Sequence, residues 1–383
     1  MASSFSFGFS GDDIDIDDLE IHDVNEEITQ PEASSTVPEL VKAQRHELDE
    51  WLSTLPSQIS YNKLGIQLPA DAETSTSAGN EALTVVRRDV FDIRAQLMVE
   101  DSAEEQNGEL IAGLEKGDIT PNFYEGGFKT WECSIDLAGL LAAEGLEVED
   151  RHIIELGSGT AVPSLALFAQ LLSQTNTEPT SGSAKKRTHF TFADYNSAVL
   201  RLVTLPNLLL TWNHFTTQQD RTASTNAQHD SETETQPSNL MESEDEELDM
   251  TPSLIERFQN DLTNRGITIS FISGAWSPSF VELVFSSPAL TGYKTLILAS
   301  ETIYSPASLV AFSETLLALL QRPSVESRAL IAAKKVYFGV GGGIDEFLAV
   351  LRGVSAEGLK VEERLDVKSA GVGRVILEIG LGP

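Results

Sequence analysis

Apolar positions follow two rhythms along most of this chain. Short apolar or alternating runs predict strands at Ile153–Glu155, Thr188–Ala193, Ile267–Ile272, Tyr293–Ala299 and Arg328–Phe338. Between them, spacing of three and four residues predicts helices at Ala161–Leu172, Ser197–Trp212, Leu254–Arg265, Pro306–Leu320 and Ile344–Gly353. Pro206 predicts a kink or boundary in the second of these. Upstream, a helix is expected from about Trp131, with Ile135, Leu137, Leu140 and Leu141 on its apolar face. Residues 359–366 and 373–381 read as a closing hairpin. Strands alternating with helices and ending in a hairpin predict an α/β fold. Its sheet is mostly parallel and seven-stranded with an antiparallel C-terminal edge, and helices cover both faces.

Other stretches are ambiguous or polar. Residues 83–99 mix both signals, so one or two edge strands or a packed helix are open there. A short docked helix fits Pro38–Leu55. Residues 1–80 read as a mostly disordered acidic region, and 81–383 as the folded domain. A polar insertion at 173–187 and a disordered acidic one at 216–250 interrupt that domain. Phe5, Phe7 and Phe9 in the tail leave two readings, a solvated tail or a docking peptide. The formal charge of −33 is uneven. Residues 1–50 hold 14 acids against two bases, and 216–250 hold 10 against one, which leaves −12 for everything else. That balance disfavours direct nucleic-acid binding, because no dense Lys/Arg patch stands ready to neutralise phosphates. A basic protein partner fits it better. The single cysteine, Cys133, excludes an internal disulfide and makes a reducing compartment the expectation. No run resembles a membrane span or a secretory signal, and the histidines lack metal-ligand spacing.

Candidate chemistry centres on HIIELGSGTAVPSL, residues 152–165. A buried strand ends in Glu155, a turn carries Gly157 and Gly159, and a helix begins at once, which is where α/β sheets bind nucleotide-like cofactors. A dinucleotide site would want a third glycine where Val162 stands. An acid two residues before G-x-G instead fits S-adenosylmethionine, which has no pyrophosphate for Glu155 to repel. At the end of the next strand, Asp194 offers two carboxylate oxygens to the two ribose hydroxyls. It reads alternatively as a helix cap.

With these residues placed, the chain resembles the histidine protein methyltransferase family, within the Rossmann-like seven-strand S-adenosylmethionine-dependent methyltransferases. The motifs that carry the resemblance are FYEGGFKTWECSIDL (123–137), IIELGSGTAVPSL, FADYN (192–196), SGAW (273–276), LILASETIYSP (296–306) and YFGVGGGIDEFL (337–348). The resemblance implies methyl transfer to the tele nitrogen of a protein histidine, in a basic large-subunit ribosomal protein. It also implies a monomer, cytoplasmic and nuclear, with effects on ribosome biogenesis or translation. Thr130, Trp131, Glu132, Cys133 and Ser134 would line the methionine end of the cofactor, with Gly157 beneath it. Asp194, Tyr195 and Asn196 would hold ribose and adenine. Gly274, Ala275 and Trp276 would close on the adenine, and Ser300 would lie near the methyl.

A sulfonium methyl is a strong electrophile, so the protein's task is in-line placement of a neutral imidazole nitrogen. Glu301 and Tyr304, at a strand's C-terminal end, are the candidates for orienting it; an anchoring loop is the competing reading for Tyr304. Cys133 reads as a packing thiol rather than a nucleophile. The run Gly339–Gly343 lacks the Lys-Ser/Thr of a phosphate loop and is expected to let a substrate peptide pass close to the backbone. Lysine methylation on the same fold, and a non-enzymatic assembly factor for a basic ribosomal protein, remain the alternatives.

Overall fold

The structure is a computed structural model that describes residues 41–68, 83–100, 127–145, 149–174, 186–226, 246–287, 290, 292–322, 326–339, 341–355, 358–368 and 371–382. The aromatic tail, the start of the YEGG motif at 123–126, residues 175–185 of the polar insertion and residues 227–245 of the acidic one lie outside them. In chain order the elements are β1 (Gln44–His46), α1 (Leu48–Leu52), β2 (Gln58–Ile66), β3 (Leu83–Arg88), α2 (Val90–Glu100), α3 (Glu132–Glu144), β4 (Arg151–Leu156), α4 (Val162–Ser173), β5 (Thr188–Asp194) and α5 (Ser197–Val199). A π-turn (Leu200–Thr204) leads into α6 (Leu205–Asn226). Then follow β6 (Glu246–Asp249), α7 (Pro252–Arg265), β7 (Ile267–Ser273), α8 (Pro278–Val284), β8 (Lys294–Ser300), α9 (Leu309–Leu320), β9 (Ser327–Lys334), α10 (Ile344–Val354), β10 (Leu359–Val367) and β11 (Arg374–Leu381).

The main sheet has the order β1-β7-β5-β4-β8-β9-β11-β10. Strands β7, β5, β4, β8 and β9 are parallel, and β11 and β10 close it antiparallel. This is the expected seven-stranded, mostly parallel sheet, extended by an eighth strand, β1, paired antiparallel to β7. A second sheet, β3-β2-β6, stands apart from it.

These additions move the boundaries read from the sequence. Elements from Gln44 to Ile66 belong to the unit that runs Leu40–Pro383, so the fold begins about forty residues before the expected start at 81. The reason is a row of rings. Trp51 packs on Phe271 at 5.1 Å, and Phe271, Phe192, Phe190 and Phe168 continue at 5.8–6.0 Å across one face of the sheet. Each such ring buries a large apolar area, and truncating one costs about 3–5 kcal/mol. The acidic insertion also shrinks from both ends. Helix α6 continues to Asn226, and Glu246–Asp249 pairs with β2 as β6. The mixed signal at 83–99 resolves into a strand, β3, followed by a helix, α2.

Two apolar layers sandwich the sheet. One gathers α3, α4, α6 and α7 around Phe168, Phe190, Phe192 and Trp212; the other gathers α8, α9 and α10 around Phe280, Phe312 and Phe347. Helix α6 is anchored by polar atoms as well. Pro206 has no N–H for the carbonyl of Leu202, and the buried Arg88 guanidinium donates to that carbonyl at 3.0 Å instead. The expected break at Pro206 therefore takes the form of a π-turn immediately before it.

Candidate active site

The parallel strands end along one edge, and the sheet order reverses at β4, which has β5 on one side and β8 on the other. A crevice opens at that point in such sheets. Here it is a cavity of about 480 Å³, lined by the loops after β4, β5, β7, β8 and β9 and by the entry to α3.

The loop after β4 forms the floor. Gly157 adopts φ +64, and a Cβ there would meet Thr302 Cγ2 at 2.7 Å, so backbone and cavity approach each other only with glycine in place. Thr204 donates to the carbonyl of Gly159 at 2.7 Å, and Asn207 to that of Thr160 at 3.0 Å. Both side chains are buried. With Thr211, which bonds the backbone of Val86, they form a polar stripe along the π-turn and the buried start of α6 that ties the glycine turn to the second sheet. The Asp194 carboxylate accepts from Gly159 N and Asn196 N, each at 3.1 Å, and lines the cavity. Asn196, not Asp194, holds the cap position of the following helix.

Glu155 sits elsewhere than the sequence reading placed it. It is absent from the cavity lining, is 1 % exposed, and accepts from Ser164 N at 3.1 Å, bracing the start of α4. Burial pushes its carboxyl up to about 8, partly offset by the hydrogen bonds from Ser164. The acid before the glycines therefore acts beneath the turn.

Around the cavity, Trp131, Ser134, Gly157, Gly159, Asp194, Tyr195, Ala275, Trp276, Ser300, Glu301 and Tyr304 come together as lining residues. Five others stand just behind. Thr130 bonds Thr160 at 3.1 Å, Glu132 pairs with Lys334 at 3.2 Å, and Cys133 is fully buried. Asn196 starts a helix, and Gly274 lies where a Cβ would meet the Lys42 carbonyl at 2.7 Å. Gly274 thus lets the segment leading into β1 cross the end of β7, a contact within the chain itself.

Beside the glycine turn, the wall after β8 and β9 holds the reactive groups. Glu301 is a non-glycine residue at φ +56, a conformation that costs about 1–3 kcal/mol and persists only where surroundings impose it. Its side chain is 8 % exposed, and its Oε1 accepts no hydrogen bond among the described residues. The Lys334 ammonium faces that oxygen at 3.5 Å and also lies 5.0 Å over the Trp131 ring. The Cys133 thiol and the Tyr337 hydroxyl lie beside the same carboxylate. Burial, then the Glu301 charge, pushes both of them up, so both remain protonated. Burial works against the Lys334 ammonium, but Glu301 and Glu132 outweigh it and hold it charged.

The glycine run serves a different purpose from the one expected. A Cβ on Gly342 would lie 2.5 Å from the Tyr304 carbonyl and 2.8 Å from that of Ile303. What passes close to this backbone is the chain's own loop after β8. The run buttresses Tyr304, whose ring stands 6.3 Å from Tyr337.

Sequence reasoning missed Lys334, Tyr337, Thr204 and Asn207 as members of the site. For the last two the signal was available, as polar residues recurring at helical spacing in LRLVTLPNLLLTW. Lys334 closes strand β9 and reaches the site only because β9 pairs with β8, Ser300 opposite Ala332.

The residues present fit S-adenosylmethionine on structural grounds. Asp194 offers a carboxylate for a diol, Trp276 and Ala275 offer apolar surface for a base, and the glycine floor admits a close-lying ligand. Strand order and site together define the class, a Rossmann-like S-adenosylmethionine-dependent methyltransferase. No family model matches the chain. It is 34 % identical over 393 residues to Histidine protein methyltransferase 1 of Saccharomyces cerevisiae, covering 98 % of this chain and 97 % of that protein. Its identity to the Schizosaccharomyces pombe protein of the same name is 32 % over 352 residues, covering 91 % and 84 %. To the Bos taurus homolog it is 30 % over 263 residues, covering 68 % and 57 %. The chain belongs to the histidine protein methyltransferase family.

Proposed function

We propose that this enzyme methylates the tele nitrogen of a histidine in a basic large-subunit ribosomal protein. The observation that carries the reading is the buried Glu301 carboxylate beside the cofactor floor, whose Oε1 faces the Lys334 ammonium at 3.5 Å but accepts no hydrogen bond among the described residues. A buried acceptor of this kind is costly unless a donor arrives to fill it. A neutral imidazole whose pros nitrogen carries the proton is such a donor, and its tele nitrogen then keeps the lone pair.

Bound S-adenosylmethionine supplies an electrophilic methyl on a sulfonium. Asp194 would hold its adenosine side, Gly157 and Gly159 would lie beneath it, and Trp131 and Ser134 would border the end toward α3. Glu301 accepts the pros N–H of the acceptor ring, which fixes the tautomer. Methyl transfer to the tele nitrogen would leave the ring cationic, and the Glu301 carboxylate would take up its pros proton. Tyr304, braced by Gly342, limits where the ring can lie. The charge of −33 supports a basic partner, and a cytoplasmic and nuclear setting accords with a ribosomal substrate.

The test is incubation with labelled S-adenosylmethionine and a large-subunit ribosomal protein fraction, followed by mass mapping of the labelled residue. Tele-methylhistidine is the expected product. Label on lysine would replace this reading with lysine methylation, and cofactor binding without transfer would favour an assembly factor.

A further inference from the structure

We infer that Lys334 is a positioning residue that keeps the acceptor imidazole neutral by offsetting the charge of Glu301. The inference rests on the proposed function above. An unscreened carboxylate beside an imidazole would favour the imidazolium, raising the ring's pKa by about 1–3 units. An imidazolium has no lone pair and cannot accept a methyl. The catalytic hydrogen bond to Glu301 therefore carries a hazard that the site must counter.

Lys334 is placed to counter it. Its ammonium lies 3.5 Å from Glu301 Oε1, its side chain is 20 % exposed, and both residues line the cavity. The other groups around the pair leave this balance standing. On α3, Glu132 pairs with Lys334 at 3.2 Å but is 59 % exposed and so well screened. Asp136 on the same helix is engaged by Arg374 of β11. Cys133 and Tyr337 remain protonated and uncharged. Lys129 and Asp194 also line the cavity, but among the described residues the ion pair to this carboxylate comes from Lys334, whose ammonium lies over the face of Trp131. The same ammonium repels a protonated lysine side chain, which makes the pocket selective for the neutral ring.

The experiment measures the rate of methylhistidine formation across pH with full-length protein, saturating S-adenosylmethionine and the large-subunit ribosomal protein fraction. Cofactor affinity and thermal melting of each variant are recorded alongside. Lys334→Met is expected to move the acid limb of the rate profile, scaled to the variant's own plateau, upward by about one unit, a tenfold loss on that limb. Lys334→Arg should return the limb to its place. An unmoved limb with the rate lowered equally at every pH, or an Arg variant that behaves like Met, would overturn the inference. Should Lys334→Met fail to fold, Lys334→Gln carries the same expectation. Glu301→Gln separates this claim from the one beneath it. If that variant keeps wild-type rate and product, the role of Glu301 fails and the inference with it. If it loses activity while Lys334→Met leaves the limb unmoved, only the inference fails.

Discussion

The two walls of the cavity are built on opposite principles. On the floor after β4, the carbonyls of Gly159 and Thr160 are tied back by buried side chains, and the Asp194 carboxylate already accepts two backbone N–H groups. On the adjoining wall, a glutamate in a strained backbone conformation has one oxygen that accepts no hydrogen bond among the described residues, and a glycine-rich loop presses against the segment that carries Tyr304. The difference matches what each wall must meet. A small cofactor with fixed functional groups rewards a floor finished in advance. A protein side chain that must arrive in one tautomer rewards a wall that it completes itself.

Substitutions should separate the two. The largest effect is expected from Glu301→Gln, which keeps the shape and removes the charged acceptor. A loss of at least a hundredfold in turnover with unchanged cofactor affinity is expected, about 3 kcal/mol in the transition state, measured by single-turnover kinetics and calorimetry. Asp194→Ala should do the reverse, weakening cofactor binding about ten- to a hundredfold, since hydrogen bonds to a charged group are worth about 1.5–3 kcal/mol. Equal losses in both parameters for both variants would break the distinction between the walls.

Gly342→Ala should come next. Its φ of +76 and the 2.5 Å approach to the Tyr304 carbonyl leave no room for a methyl, so the loop after β8 must shift. Turnover is expected to fall with cofactor affinity intact, alongside a stability loss of about 1–3 kcal/mol read by denaturant titration. Thr204→Val should act on the floor alone, lowering cofactor affinity by less than Asp194→Ala does, because the Gly159 carbonyl loses one neutral hydrogen bond of about 1 kcal/mol.

How much of this was legible follows from how local each signal is. The strand, turn and helix at 152–165 announce themselves in one window, and Asp194 ends a strand whose alternation is plain. Strands β1, β2 and β6 are largely polar, and of their residues only Ile59 and Ile66 are buried. What marked them as disordered was charge, yet a few buried rings outweigh many exposed acids. Glu155 misled for a related reason. The spacing identified an acid at the turn, but whether it faces the cavity or the start of α4 depends on the strand's pleat. Lys334 could not be read at all, because its place beside Glu301 is set by strand pairing between segments some thirty residues apart.

The smallest effects concern the base of the sheet and the space under the turn. His152 and His189 stack edge to face at 5.0 Å, and burial lowers both, His189 to about 4. The unfolded chain binds these protons first, so stability should fall as pH drops from 6.5 toward 4. Glu155 works in the other direction. Its folded value near 8 exceeds the model-compound 4.5, so the folded state holds the proton longer and stability should decline as pH rises between those values. Of these three groups only Glu155 acts between 6.5 and 8, and Glu155→Gln should flatten the stability profile there, as read by chemical denaturation across pH. A slope unchanged by that substitution would place the carboxyl's charge outside the folding equilibrium.

The most direct test of the central claim, that Glu301 selects the tele nitrogen by accepting the pros N–H, is the identity of the methylated nitrogen. Product from wild-type enzyme and from Glu301→Gln, given the large-subunit ribosomal protein fraction, is hydrolysed and resolved into tele- and pros-methylhistidine. The account expects tele-methylhistidine alone from the wild type, and little product from the variant with that preference relaxed. Pros-methylhistidine from the wild type, or tele product formed at full rate by Glu301→Gln, would contradict it.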